Sequence, residues 1–339
     1  MRYNWGVRWI ALVSSTVAVV LTAFVTGLLL VGGDTADSAP APAPYALQAQ
    51  FVQVVRGVAP SVVQIESAEG LGSGVVYDGA GHVVTNAHVV GSSRTFQVTL
   101  ADGRRVTGTL VGAFVPDDLA VIRLDGLRPR AARFADSSKL DVGDIVMAIG
   151  NPLGLRSSVT EGIVSALGRT VPTESGTLPN TIQTSAPINP GNSGGALVNL
   201  AGQVVGIPTA AAVDPNLGRG ASGIGFAIAS NRVKDIAAQL IRDGRVTRTG
   251  RAYLGVRVGD ITGNGVLVGE AVAGGPAARA GIHAGDVIVS IAGKPTSSTT
   301  GLSEVLATLK PGQRVSVRIV RQDGTKATVQ VTLGELPGG

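Results

Sequence analysis

Gly191-Asn192-Ser193-Gly194-Gly195 sets a serine inside a glycine turn, and two earlier stretches give that serine partners: Thr85-Asn86-Ala87-His88 and Asp117-Asp118-Leu119-Ala120-Val121. A serine hydroxyl is a poor nucleophile at neutral pH. It needs an imidazole to take its proton and a carboxylate to hold that imidazole in the right tautomer. Backbone N–H groups must also face the developing oxyanion, and Gly191 lets the chain turn sharply enough to present them.

Each piece alone is ordinary, because a chain with 48 glycines has many turns. Together, in the chain order His88, Asp118, Ser193, they match the parts list of a chymotrypsin-type serine protease. The chain has three histidines, and His88 follows the strand-like Val83-Val84. Asp118 opens the β-prone run Leu119 to Leu124, which can bury a carboxylate at a barrel rim. Asp117 is the rival acid; Asp118 lies directly against the apolar strand and is preferred.

The chain resembles the HtrA/Deg serine proteases. The words that carry the resemblance include Val58-Ala59-Pro60-Ser61-Val62-Val63, Gly72-Ser73-Gly74-Val75, Val84 to Val90 and Asp118-Leu119-Ala120-Val121. They continue in order through Gly150-Asn151-Pro152, Val159 to Ser165, Ile188 to Gly195 and Gly223 to Ile228, and the match covers about residues 51 to 335. The resemblance implies a mainly β chain, with a chymotrypsin-like double β-barrel followed by a PDZ domain. It also implies proteolysis of misfolded or tagged proteins outside the cytoplasm, in envelope quality control or stress response, by homotrimers and without ATP or metal.

Composition agrees. With 44% hydrophobic but only 4% aromatic residues, the core must be built from Val, Ile, Leu and Ala. Net charge is +5 without any Lys/Arg block, which gives nucleic-acid binding little support. Cysteine is absent, so disulfides and thiolate metal sites are excluded. No His-Glu-x-x-His and no Gly-x-x-x-x-Gly-Lys-Ser/Thr occurs, so neither a zinc-peptidase helix nor an ATP loop is expected, and no cofactor is assigned. The alternative from another class is a proteolytically inactive, membrane-tethered PDZ adaptor or holdase, which would need a broken triad.

Along the chain, 1–9 reads as a cytoplasmic N-terminus and 10–31 as a transmembrane anchor. Ile10 to Val31 carries no charge and as a helix would span about 33 Å, enough for a bilayer core. Arg2 and Arg8 before it and Asp34 and Asp37 after it place the N-terminus in the cytoplasm and the rest outside the cell membrane. A cleaved signal peptide, with small residues Ala36 and Ala39 beyond it, is the competing reading. Residues 32–50 form a Pro/Ala-rich linker, extended around Ala39 to Pro44. Residues 51–243 are the protease domain, whose hairpins turn at Asp78-Gly79-Ala80-Gly81 and at Asp102-Gly103. Val233, Ile236, Ala237, Leu240 and Ile241 share one face of a closing helix capped by Ser230 or Asn231 and ended by Gly244. His82 and His283 read as surface residues. After a polar linker, 244–251, residues 252–336 are similar to a PDZ domain. Tyr253-Leu254-Gly255-Val256 would form the carboxylate-binding loop, and Leu302, Val305, Leu306 and Leu309 a helical stripe.

From the template and the resemblance follow the site expectations. Amides of Gly191 and Ser193, with Asn192 as a third candidate, form the oxyanion hole. Pro187 and Ile188 make the base of the S1 pocket, with Thr209, Ala210 and Ala211 along its wall. Arg169 to Asn180 corresponds to the family's sensor loop. Two stretches depart from the family: Thr184-Ser185-Ala186-Pro187-Ile188 and Gly206-Ile207-Pro208-Thr209-Ala210. Both bear on pocket shape.

Overall fold

A computed structural model of the chain describes residues 43–338 apart from 69, 152–157, 174–175, 190, 215–218 and 262–264; the side chains of 210–214 and 219–222 also lie outside that description. The apolar run Ile10 to Val31 falls outside the described residues, and among those described no helix is long and apolar enough to cross a membrane. The chain divides into two compact units, Met1–Gln50 and Phe51–Gly339.

Helix α1, Ala43–Val58, starts inside the stretch read as an extended linker. Pro44 stands in its first turn, where a missing N–H is no loss, and helix-forming Ala, Leu and Gln residues follow. Val54 and Val58 from its second half join the protease core.

Strands β1 (Val62–Ser67), β2 (Gly70–Val76), β3 (His82–Thr85), β4 (Thr95–Thr99), β5 (Arg105–Phe114) and β6 (Leu119–Leu124) close a barrel in the order β1-β2-β3-β6-β5-β4. The β2–β3 hairpin has Val75 opposite Val84. Its turn is held by the Asp78 carboxylate, which accepts from the amides of Ala80 (2.9 Å) and His82 (3.2 Å). Helix α2, Ala87–Val90, is a single turn after β3. The second ring uses β8 (Ile145–Gly150), β9 (Ser158–Thr173), β10 (Gly176–Thr184), β13 (Arg219–Ala229), β12 (Gln203–Asp214) and β11 (Ala196–Asn199). The β11–β12 pairing closes it, and β7 (Arg133–Phe134) adds to β12 in parallel. Two barrels are therefore present, as the resemblance implies.

The apolar runs are continuous because barrel strands are buried on both faces. In β6, Ala120 and Ile122 point into the first barrel with Val63, Val83 and Val98. Leu119 and Val121 point the other way, into a core shared with Met147, Ile149 and Val198 of the second barrel. Helix α3, Ser230–Asp243, seals that shared core with Val233, Ile236, Ala237 and Leu240. Its cap position falls on Ala229, one residue earlier than expected. Ser230 is already helical, and its hydroxyl is drawn to the Ala135 carbonyl (3.0 Å). Gly244 ends the helix at φ 68°.

The segment 244–251 is anchored at several points. Gln239 of α3, 3% exposed, accepts from the amides of Thr247 (3.1 Å) and Arg248 (2.9 Å) and donates to the Arg248 carbonyl (2.9 Å). Val246 and Thr249 are buried beside it. The PDZ region follows. β14 (Ala252–Tyr253) pairs with β21 (Gly334–Glu335). A sheet of β15 (Val256–Asp260), β16 (Val266–Ala271), β17 (Val287–Ile291), β19 (Arg314–Val320) and β20 (Lys326–Thr332) carries β18 (Lys294–Pro295) on β17. Helix α4, Pro276–Arg279, is short; α5, Thr299–Ala307, is capped by Ser298, whose hydroxyl accepts from Gly301 N (3.1 Å). Leu302 and Val305 of the expected stripe are buried, and Leu306 and Leu309 pack at its edge.

Candidate active site

The acid turn carries the most constrained residue. A 3-10 turn, Val115–Asp117, delivers Asp118 into the left-handed region at φ 51°, ψ 43°, a conformation that costs a non-glycine residue about 1 kcal/mol. Side-chain and backbone bonds compensate. The Asp118 carboxylate accepts from His88 N (2.9 Å) and lies 2.8 Å from His88 Nδ1, and it also accepts from the Thr209 hydroxyl. Its carbonyl accepts from Asn86 Nδ2 (3.0 Å). A carboxylate only accepts, so Nδ1 carries the proton and Nε2 of the neutral ring is left as the basic nitrogen. Asp118 is 6% exposed, whereas the His88 side chain is 47% exposed, so a buried carboxylate holds a ring that still meets solvent.

Asp117 turns the opposite way. It is 2% exposed and pairs with Arg232 Nε at 2.6 Å and Arg251 Nη1 at 3.3 Å. Burial pushes its carboxyl up from the ordinary value, against the pull of the two guanidiniums. The rivalry between the adjacent aspartates is thus resolved by direction: Asp118 faces the histidine, and Asp117 faces two arginines. Arg251 also donates to the carbonyls of Pro116 and Thr177 (both 2.8 Å), tying the end of the segment 244–251 to the acid turn and to β10.

The serine turn is built from close backbone approaches. Gly191 has φ 103°, and Gly194 has φ 79° with its amide on the Pro208 carbonyl (3.0 Å). A Cβ at Gly194 would collide with the Ser73 carbonyl and the Thr85 hydroxyl, and one at Gly195 with the Ile149 carbonyl. The carbonyl of Ser193 accepts from Ser73 N (2.9 Å). Among the described residues the N–H groups of Gly191 and Ser193 make no hydrogen bond within the protein. The third candidate donor is excluded: Asn192 N is spent on the Asn189 carbonyl (3.0 Å), because that bond forms the turn itself.

The expected pocket residues separate. Ile188 is buried and fills the space over Gly225, where any Cβ would overlap Ile188 Cγ1. Pro187 is exposed; its carbonyl accepts from Thr160 Oγ1 (2.8 Å). Thr209 is no simple pocket wall, since its hydroxyl is committed to Asp118. Ala210 and Ala211 pair with Phe226 and Gly225 in the β12–β13 register; their side chains lie outside the described ones. Tyr253, Leu254, Gly255 and Val256 line a groove of about 390 Å³, together with Leu302 and Leu306 of α5. Gly255 has φ 77°, and Leu254 is buried beneath the loop. His283 is exposed, but His82 is not a free surface residue: its Nδ1 lies 2.7 Å from Asp78 Oδ2.

Profiles of known families match in two places, a trypsin-like peptidase domain over residues 72–207 and a PDZ domain over 252–333. The serine protease Do-like HtrA of Lactobacillus helveticus is 41% identical over 284 residues, covering 77% of this chain and 68% of that protein. The chain belongs to the HtrA family of serine proteases. The periplasmic pH-dependent serine endoprotease DegQ of Escherichia coli is 41% identical over 278 residues, and the chain spans 59% of its length. Among solved structures, HtrA-type protease AlgW with decapeptide matches at TM-score 0.62 and 32% identity, over 85% of this chain and 99% of that one. The serine endoprotease from Yersinia pestis matches at TM-score 0.60 and 38% identity, over 84% and 98%. This HtrA-family chain is accordingly a serine endopeptidase.

Two roles in the protease site escaped the sequence: that of Thr209, expected only as a pocket wall, and that of Asn86. Thr209 stands far along the chain from Asp118, and Asn86 is hidden inside a family word. The local pattern carries no signal for either, because their roles arise from strand placement. Thr209→Val, which keeps shape and removes one hydrogen bond to a buried carboxylate, should lower kcat roughly tenfold and cost about 1.5–3 kcal/mol of stability. Asp117→Asn, by contrast, takes the anion from the partly buried Arg251 and leaves Arg232 with Asp235 at 3.2 Å. It should cost about 2–3 kcal/mol in denaturant unfolding. A loss of kcat in Asp117→Asn as large as that in Thr209→Val would contradict the division of labour between the two aspartates.

Proposed function

We propose that this protease is a membrane-anchored, extracytoplasmic endopeptidase that removes misfolded or tagged proteins, with Ser193 as nucleophile, His88 as base and Asp118 as the group that orients and stabilises the imidazolium. The observation that carries the reading is the 2.8 Å contact between His88 Nδ1 and Asp118 Oδ2, in a chain where the neighbouring carboxylate is turned away. Ser193 Oγ attacks the scissile carbonyl carbon while its proton passes to His88 Nε2. The carbonyl electron pair moves onto oxygen, facing the N–H groups of Gly191 and Ser193. His88 then gives the proton to the leaving nitrogen as the C–N bond breaks, leaving an acyl ester on Ser193. Water repeats the cycle and restores the hydroxyl.

The residues expected at the S1 pocket, Pro187, Ile188, Thr209, Ala210 and Ala211, carry no charge to meet lysine or arginine, and burying an unpaired cation is costly. The preferred P1 residues are therefore Val, Ala, Leu and Ile, separated by only about 1–3 kcal/mol. Ser193→Ala should reduce hydrolysis of an unfolded protein roughly 10⁴–10⁶-fold with the fold intact. Mass-spectrometric mapping of wild-type cuts should show aliphatic P1 residues; a majority after Lys, Arg or Phe would mean a different pocket.

Anchoring rests on the uncharged run Ile10 to Val31 and its flanking charges. The full chain should stay with membranes through a carbonate wash and keep Met1, and in detergent it should scatter light as a homotrimer. Amino-terminal sequence beginning after Ala36 or Ala39 would instead identify a cleaved signal peptide.

The groove at Tyr253 to Val256 is proposed to take peptide C-termini by strand addition, the mode in which a terminal carboxylate meets loop amides. AlgW, solved with a decapeptide, is a peptide-bound relative. Peptides ending in an apolar residue should bind the full chain, and C-terminal amidation should weaken them at least tenfold by calorimetry. Equal affinity of acid and amide would rule this mode out.

A further inference from the structure

Gly72-Ser73-Gly74 carries part of the family resemblance, and the backbone of Ser73 borders the serine turn, but its hydroxyl has no part in the site as drawn so far. Ser73 lies on β2 of the first barrel and is fully buried at 0% exposure, yet each of its polar atoms has a partner. Its amide donates to the Ser193 carbonyl (2.9 Å), and its carbonyl accepts from Thr85 Oγ1 (2.6 Å). Its hydroxyl oxygen accepts from Asn151 N (2.7 Å). The single hydroxyl proton is then committed to the Gly191 carbonyl, 2.5 Å away. Asn151 follows β8, and Gly191 precedes the serine, so one side chain of the first barrel bonds two backbone segments of the second.

The target of that proton matters. The oxyanion donors proposed above belong to the peptide before Gly191 and the peptide before Ser193. The Gly191–Asn192 peptide lies between them, and its plane sets the angle between the two N–H groups. Glycine at φ 103° has no side chain to hold ψ, so this plane is intrinsically loose. Ser73 pins its carbonyl end, and Asn189 pins its N–H end through Asn192 N (3.0 Å). The flanking sequence makes room for the approach. A Cβ at Gly74 would meet Val83 Cγ1 at 2.5 Å, and one at Gly150 would meet the Gly191 carbonyl at 2.6 Å.

We propose that Ser73 is a positioning residue of the reaction, whose hydroxyl, shared between Asn151 and Gly191, locks the Gly191–Asn192 peptide and so aims the N–H groups of Gly191 and Ser193 at the oxyanion. The assignment rests on the reading of those two amides as the oxyanion donors. Its distinguishing test compares a peptide p-nitrophenyl ester with its thiono analogue, in which sulfur replaces the carbonyl oxygen. Sulfur is larger and a weaker hydrogen-bond acceptor, so the thiono substrate draws little on a site shaped for oxygen.

In the full chain, Ser73→Ala should lower kcat for the oxygen ester about 10–100-fold, with KM within about twofold and the thiono rate within about threefold. The oxygen-to-sulfur rate ratio would then collapse by the factor lost in kcat. Ser73→Cys, nearly isosteric with a weaker donor, should shift the same ratio part of the way and decides the matter should Ser73→Ala not fold. Parallel loss on both substrates, or an unchanged oxygen-ester rate, would overturn the assignment. A wild-type ratio near one would instead overturn the oxyanion reading itself.

Discussion

The carboxylate of Asp118 has to sit at the rim of an apolar barrel and still point at an imidazole from another element. Much of the protease domain can be understood as the means of holding it there. The residue is forced into a left-handed backbone conformation, and that strain is offset by bonds from His88, Thr209 and Asn86. Three of the elements involved, α2, β12 and the acid turn, come from distant parts of the chain. The bond from the Thr209 hydroxyl joins the second barrel to the acid of the first, so the site is coherent only when both barrels are closed and docked.

The same requirement shapes the serine side. Ser193 sits in a turn whose glycines are dictated by carbonyls pressing from the neighbouring strands. Tight approach of backbone to backbone leaves polar groups with no access to water, and each must find a partner within the protein. Ser73 supplies several such partners at the junction of the barrels, while the amides of Gly191 and Ser193 have no partner among the described residues. Donors without a partner inside the protein, next to a nucleophile, are what a developing oxyanion can use.

Asp117 extends the constraint outward. Its two arginines come from the closing helix and from the end of the segment 244–251, and Arg251 reaches β10 as well. Gln239 adds a second tie by binding the backbone of Thr247 and Arg248. A segment that composition describes as a polar linker is therefore an ordered joint, built from buried hydrogen bonds.

Resemblance to a family pointed to the PDZ region, and the sequence by itself determined the other parts: His88, Asp118 and Ser193 in their order, the strands with their aliphatic runs and the helical stripe from Val233. These are legible because periodicity, turn chemistry and residue type are local properties of the chain. Only the tertiary structure decided which of two adjacent aspartates faces the histidine, that Thr209 serves the acid, that Asn192 is spent on its own turn, and that Ser73 bridges the barrels. It also started a helix inside the Pro/Ala-rich stretch and moved the cap of α3 to Ala229. The facing of Asp118, the role of Thr209 and the bridge made by Ser73 depend on hydrogen-bond partners 30, 91 and 118 residues away, and no pattern along the chain encodes where those partners lie in space.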